Sequence, residues 1–189
     1  SIIYFKFLIM KTKFLLMFAA LFGVFLFNSC DEDLLDITET FTYETEMVIL
    51  SDDLTFSKTE DVDMTASEDL IEKYGEKIKD IEIEEVTYWL TAFNGSEEQK
   101  IIESSLVVAD ENGADPKNIV TINDVLLQPL MNNETELTVN DEGIDRLSSL
   151  METPPHKLQL IFNTTTNEAP LDFTVKFKFK VKMTANPLE

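Results

Sequence analysis

Apolar and polar residues alternate without a break near the end of the chain. Phe173, Val175, Phe177, Phe179, Val181 and Met183 take one parity; Thr174, Lys176, Lys178, Lys180 and Lys182 take the other. A period of two sends successive side chains to opposite faces, so this stretch predicts a long strand with one dry and one wet face. Lys157 to Thr165 repeats the pattern through Leu158, Leu160 and Phe162, and Asn167 to Pro170 supplies the turn between the two. At the other end, Phe41, Tyr43, Thr45 and Met47 alternate with Thr40, Thr42, Glu44 and Glu46, predicting a first strand over Thr38 to Leu50.

Between these ends the pattern is less regular. Ser51-Asp52-Asp53 reads as a turn, and Leu54 to Met64 as an extended segment with little apolar content, suited to a sheet edge. Ile78 to Phe93 is a long strand whose parity breaks: Ile81 and Ile83 lie on one side, Val86, Tyr88 and Leu90 on the other. An extra residue restores the phase, which predicts a β-bulge near Glu84-Glu85. The alternative puts Trp89 and Phe93 on the inner face with Ile81 and Ile83. Asn94-Gly95 reads as a hairpin turn. Further strands are expected at Lys100 to Ala109, at Asn118 to Leu127 with a buried Val125-Leu126-Leu127 run, and at Glu136 to Val139.

Two segments change to helical spacing. Thr65 or Ser67 caps the first, Leu70, Ile71 and Tyr74 give it an inner side, and Gly75 ends it. Asn140 caps the second, whose stripe is Ile144, Leu147, Leu150 and Met151, and Pro154-Pro155 stops it. Seven or eight strands with two short helices predict an antiparallel β-sandwich of immunoglobulin-like architecture, without the Cys and Trp framework of true immunoglobulin domains. An α+β sheet with helices on one face is the alternative.

The amino-terminal stretch follows neither period. Met10 to Lys13 is a short positive region, Phe14 to Phe27 an uncharged apolar run of 14 residues, and Asn28-Ser29 leads to Cys30, the only cysteine. At ~1.5 Å rise per residue such a run falls short of a ~30 Å hydrocarbon core and fits the apolar part of a secretory signal. The stretch resembles a bacterial lipoprotein signal, with Ser29 as the small residue before the cut and Phe27 where leucine is usual. The acidic trio Asp31-Glu32-Asp33 looks like the surface-export tag of Bacteroidota lipoproteins. The resemblance implies a diacylglyceryl group on Cys30 and removal of residues 1–29; the length and patterning that remain read as an acidic tether over 30–37 and one domain over 38–189. The resemblance also implies an outer-membrane location facing the exterior. Residues 1–9 read as lying upstream of the true start at Met10.

Charge narrows the partners. Three of the 15 basic residues and none of the 36 acids lie in residues 1–29, so the remainder carries a formal charge of −24. Nucleic acid would be repelled by such a chain, and so would an anionic membrane surface; contact with the membrane is expected only through the lipid. With 44% hydrophobic and 10% aromatic residues there is enough apolar material for a core.

Few residues suggest chemistry. Lys176, Lys178, Lys180 and Lys182 form a ladder roughly 20 Å long, at ~6.8 Å per two residues. It is either a strip for a polyanionic glycan or protein partner, or one half of cross-strand ion pairs, with Asp80, Glu82 and Glu84 as the opposing row. Asp110, Asn112 and Asp115 cluster oxygens suited to calcium, but Gly113 is misplaced for a helix–loop–helix site and a plain turn explains the loop. Tyr88, Trp89 and Phe93 are either core or a sugar-stacking platform. His156 is the only histidine, no Gly-x-Ser-x-Gly turn occurs, and no Cys/His cluster suits zinc. The expected role is therefore non-catalytic, without a cofactor: binding an unidentified protein or glycan, or taking part in envelope assembly. An inward-facing structural lipoprotein and a carboxylate-based hydrolase are the alternatives.

Overall fold

The computed structural model describes residues 35–188. Strands β1 (Ile37–Ser51), β2 (Thr55–Asp63), β3 (Ile78–Phe93), β4 (Lys100–Asp110), β5 (Lys117–Leu126), β6 (Thr135–Glu136), β7 (Lys157–Thr166) and β8 (Leu171–Ala185) carry the fold. Helices α1 (Met64–Ser67) and α2 (Asp69–Tyr74) connect β2 to β3, and α3 (Asp141–Glu152) connects β6 to β7. Two antiparallel four-stranded sheets result, in the orders β1-β8-β3-β6 and β2-β7-β4-β5.

The expected β-sandwich is present, and its strand order is that of a jelly roll. The immunoglobulin orders ABED and CFG pair three couples of consecutive strands, whereas here only β4 and β5 are both consecutive and paired. Asn94-Gly95 is accordingly no hairpin turn; the chain there leaves one sheet for the other. β2 is an edge strand, as its polar content predicts. The bulge in β3 falls between Ile83 and Glu85, with further register shifts between Ile78 and Asp80 and between Leu90 and Ala92. The phase change turns Ile81, Val86, Tyr88 and Leu90 all inward.

Between the sheets lies one apolar layer. β8 contributes Phe173, Val175, Phe177, Phe179, Val181 and Met183, all buried, and β7 faces it with Leu158, Leu160 and Phe162. Phe162 and Phe177 meet edge to face across the layers, 5.6 Å between centroids. Tyr43 lies over Phe179 and Tyr88 over Phe177, each pair directly opposite across adjacent strands. Burial, aided by the nearby Glu60 carboxylate, pushes the Tyr43 hydroxyl up to about 12.

Two local expectations change. The first predicted helix is two, because Glu68 adopts an extended conformation between them, and its cap is Asp63 rather than Thr65 or Ser67. The Asp63 carboxylate accepts from the N–H groups of Thr65 and Ala66. Gly75 ends α2 as expected, at φ 46°, a conformation that costs a glycine little. In the Val125-Leu126-Leu127 run only Leu127 is fully buried; Leu126, at the end of β5, faces solvent.

Candidate functional site

The outer face of the β1-β8-β3-β6 sheet carries the lysine ladder. β8 is a central strand there, so its lysines have acids on both sides. Lys176 reaches Glu44 on β1 at 2.6 Å, while Lys180 reaches Glu84 and Lys182 reaches Glu82 on β3, each at 2.8 Å. Lys178 pairs with Glu134, just before β6. Two of the three acids expected to oppose the ladder therefore do so; Glu44 and Glu134 complete it. Glu44 was legible from its place in the first strand's polar parity, but nothing in the pattern around Glu134 marks it as a partner.

Trp89 lies on this same face, half-buried, with the ammonium groups of Lys176 and Lys178 each 5.5 Å from its ring centroid. Tyr88 points into the core, so the two aromatics do not form one platform. The face is a charge-compensated lattice in which every ladder lysine has a carboxylate.

These contacts fix the sign of a pH effect. Hydrogen bonds that they donate to Glu44, Glu84 and Glu82 hold Lys176, Lys180 and Lys182 above the usual lysine value. Hydrogen bonding holds three acids low: Glu84 through Lys180, Asp63 through Thr65, and Asp110 through the amides of Ala114 and Asn112. A depressed acid contributes stability above its unfolded value, 4.5 for Glu84 and 3.8 for Asp63 and Asp110, and loses it as pH falls through the folded value. Melting temperature is thus expected to decline below about pH 4.5, with a shallower acid limb in Glu84→Gln. An acid limb unchanged in that variant would remove Glu84 from the account.

The β4–β5 turn uses its own oxygens. Asp110 Oδ1 accepts from the N–H groups of Asn112, at 2.9 Å, and Ala114, at 2.8 Å. Asp115 faces Arg146 at 3.6 Å and Lys117 at 3.9 Å. Among the described residues no group of three or more His, Cys, Asp or Glu is arranged to hold a metal. His156 is buried just before β7, its ring Nδ1 2.8 Å from the carbonyl of Met151, and its own carbonyl accepts from Met64 N–H. That position ties α3 to α1 and exposes no base. Cys30, Asp31, Glu32 and Asp33 lie outside the described residues.

Open recesses of about 250–400 Å³ occur at several places among the described residues. Between the first half of β3 and α3 runs an open trough of about 400 Å³, with Ile83 and Ile144 half-buried along it and Asp80, Glu82, Asp145 and Glu152 at its borders. Its position follows from the brevity of β6, which the pattern Glu136 to Val139 predicted as a longer, later strand.

No protein-family model matches the chain, and no curated protein matches it. Solved structures offer distant likenesses. One, from Desmodium yellow mottle tymovirus, is 7% identical with a TM-score of 0.37, over 82% of this chain and 84% of that one. Another, from turnip yellow mosaic virus, is 7% identical with a TM-score of 0.38, over 81% and 96%. The decameric BFDV capsid protein is 9% identical with a TM-score of 0.37, over 78% and 99%.

Proposed function

We propose that this chain is a lipid-anchored, non-catalytic binding module of the outer membrane, carried on the cell exterior by an acylated Cys30. One observation carries the reading. A positive region, an apolar run of 14 residues, a small residue and the lone cysteine follow one another in the order of a lipoprotein signal, and three acids come next. Each part is common; their succession immediately before a well-patterned domain is not. The module's acidity suits a crowded surface, where like-charged copies repel and stay soluble.

Two measurements test the two halves of this reading. Mass spectrometry of the protein extracted from native membranes is expected to find a chain that begins at a lipid-modified Cys30, and Cys30→Ser is expected to release the protein from the membrane fraction. An unmodified thiol, or a retained leader, overturns the anchor. Protease treatment of intact cells is expected to remove the domain; survival until the envelope is opened would place it on the inner side, as a structural lipoprotein.

A further inference from the structure

β6 is too short to cover its neighbour. It pairs only with Thr87 and Tyr88, and the Leu137 N–H bonds to the Val86 carbonyl before the chain turns away. From Asp80 to Glu85, the edge of β3 that faces away from β8 has no backbone partner among the described residues. Natural sheets blunt such edges or cover them. Here α3 stands alongside without closing the gap. Its Gly143 rests on the backbone of Asn118 and Ile119 in β5, so the helix is seated on the other sheet as well as against β3.

What remains is the trough of about 400 Å³, within the range of about 300–1,000 Å³ for ligand sites. One wall is an unpaired strand edge, whose N–H and C=O groups repeat at the spacing of an extended chain from Asp80 to Ile83, ahead of the bulge. Ile83 and Ile144 give it an apolar stretch. Its charge is acidic: Glu82 is paired with Lys182, which also lies near Asp80, whereas Asp145 and Glu152 have no ion pair among the described residues.

We propose that this trough takes a short extended peptide bearing lysine or arginine, added as a strand to the free edge of β3. Main-chain hydrogen bonds hold the peptide and alternate side chains choose it. One parity meets Ile83 and Ile144; a basic side chain of the other meets the helix carboxylates. A second copy of this chain is a poor occupant, because a formal charge of −21 repels it. A polyanion is excluded from the trough for the same reason. The proposal supplies a partner class for the binding role proposed above, but its test does not depend on Cys30, so either can fail alone.

The full chain is titrated with the acetylated, amidated pentapeptide Val-Lys-Val-Lys-Val, with the glutamate counterpart and a backbone N-methylated version as controls, and hydrogen exchange is followed at each amide. The lysine peptide is expected to bind saturably and to protect amides within residues 80–85. Both controls are expected to bind at least about tenfold more weakly, equivalent to about 1.4 kcal/mol. Asp145→Lys with Glu152→Lys should weaken binding by a similar factor at an unchanged melting temperature. Should that pair misfold, Ser148→Trp, which fills the trough, serves instead and is expected to abolish binding. No saturation, indifference to N-methylation, protection confined to β1, or self-association of the chain through this edge would each overturn the proposal.

Discussion

Phe177→Ala is expected to destabilise the domain by about 3–5 kcal/mol, the usual range for truncating a fully buried phenylalanine. The residue is wholly buried at the middle of β8 and touches both layers. Its ring meets Phe162 of the facing sheet at 5.6 Å and Tyr88 of the adjacent strand at 6.4 Å. Truncation removes the ring's transfer free energy and leaves a cavity that rigid strands on either side cannot collapse to fill. Stabilities of natural domains run to about 5–15 kcal/mol, so a loss of this size takes much of the total. Denaturant melts should show a lower midpoint at an unchanged slope. A loss below about 1 kcal/mol would mean that the layer between the sheets relaxes far more easily than its packing implies. Thr174→Ala, on the outer parity of the same strand, is the control and should change little.

The features most visible in the sequence were those set by parity. The dry and wet faces of β8 follow from Phe173 to Met183, and the β3 bulge from the conflict between Ile83 and Val86. The edge position of β2 follows from the polar run Lys58 to Asp63. Strand order was less accessible, because alternation says which residues face inward but not which strand lies alongside. Asn94-Gly95 suits a turn between paired strands and a crossing between sheets equally well. The candidate trough was hidden for a related reason. Leu137 and Val139 alternate with polar neighbours as a strand would, but the Leu137 N–H goes to Val86 of β3 while the Asn140 N–H goes to Ile119 of β5. The chain is peeling from one sheet to the other, and that divergence leaves the edge of β3 beside α3 without a paired strand.

The same divergence makes the seat of α3 a sensitive point. Gly143→Ala is expected to destabilise the protein by about 2 kcal/mol, although alanine alone favours a helix over glycine by about 1 kcal/mol. A Cβ at this position would lie 2.1 Å from the Asn118 carbonyl oxygen, 2.5 Å from its carbon and 2.6 Å from the Ile119 Cα. All three are backbone atoms of a paired strand, so none can swing aside. The helix must lift instead, and overpacking of this kind costs about 1–3 kcal/mol, toward the upper end where the obstacle is backbone. Gly143→Val, with two further carbons at the contact, should cost more. Lifting α3 also widens the trough beside β3, so the lysine peptide should bind Gly143→Ala more weakly than the parent even where both are fully folded. Thermal melts separate the opposing terms: a stabilised Gly143→Ala would show that helix propensity outweighs the contact and that α3 is not pinned to β5.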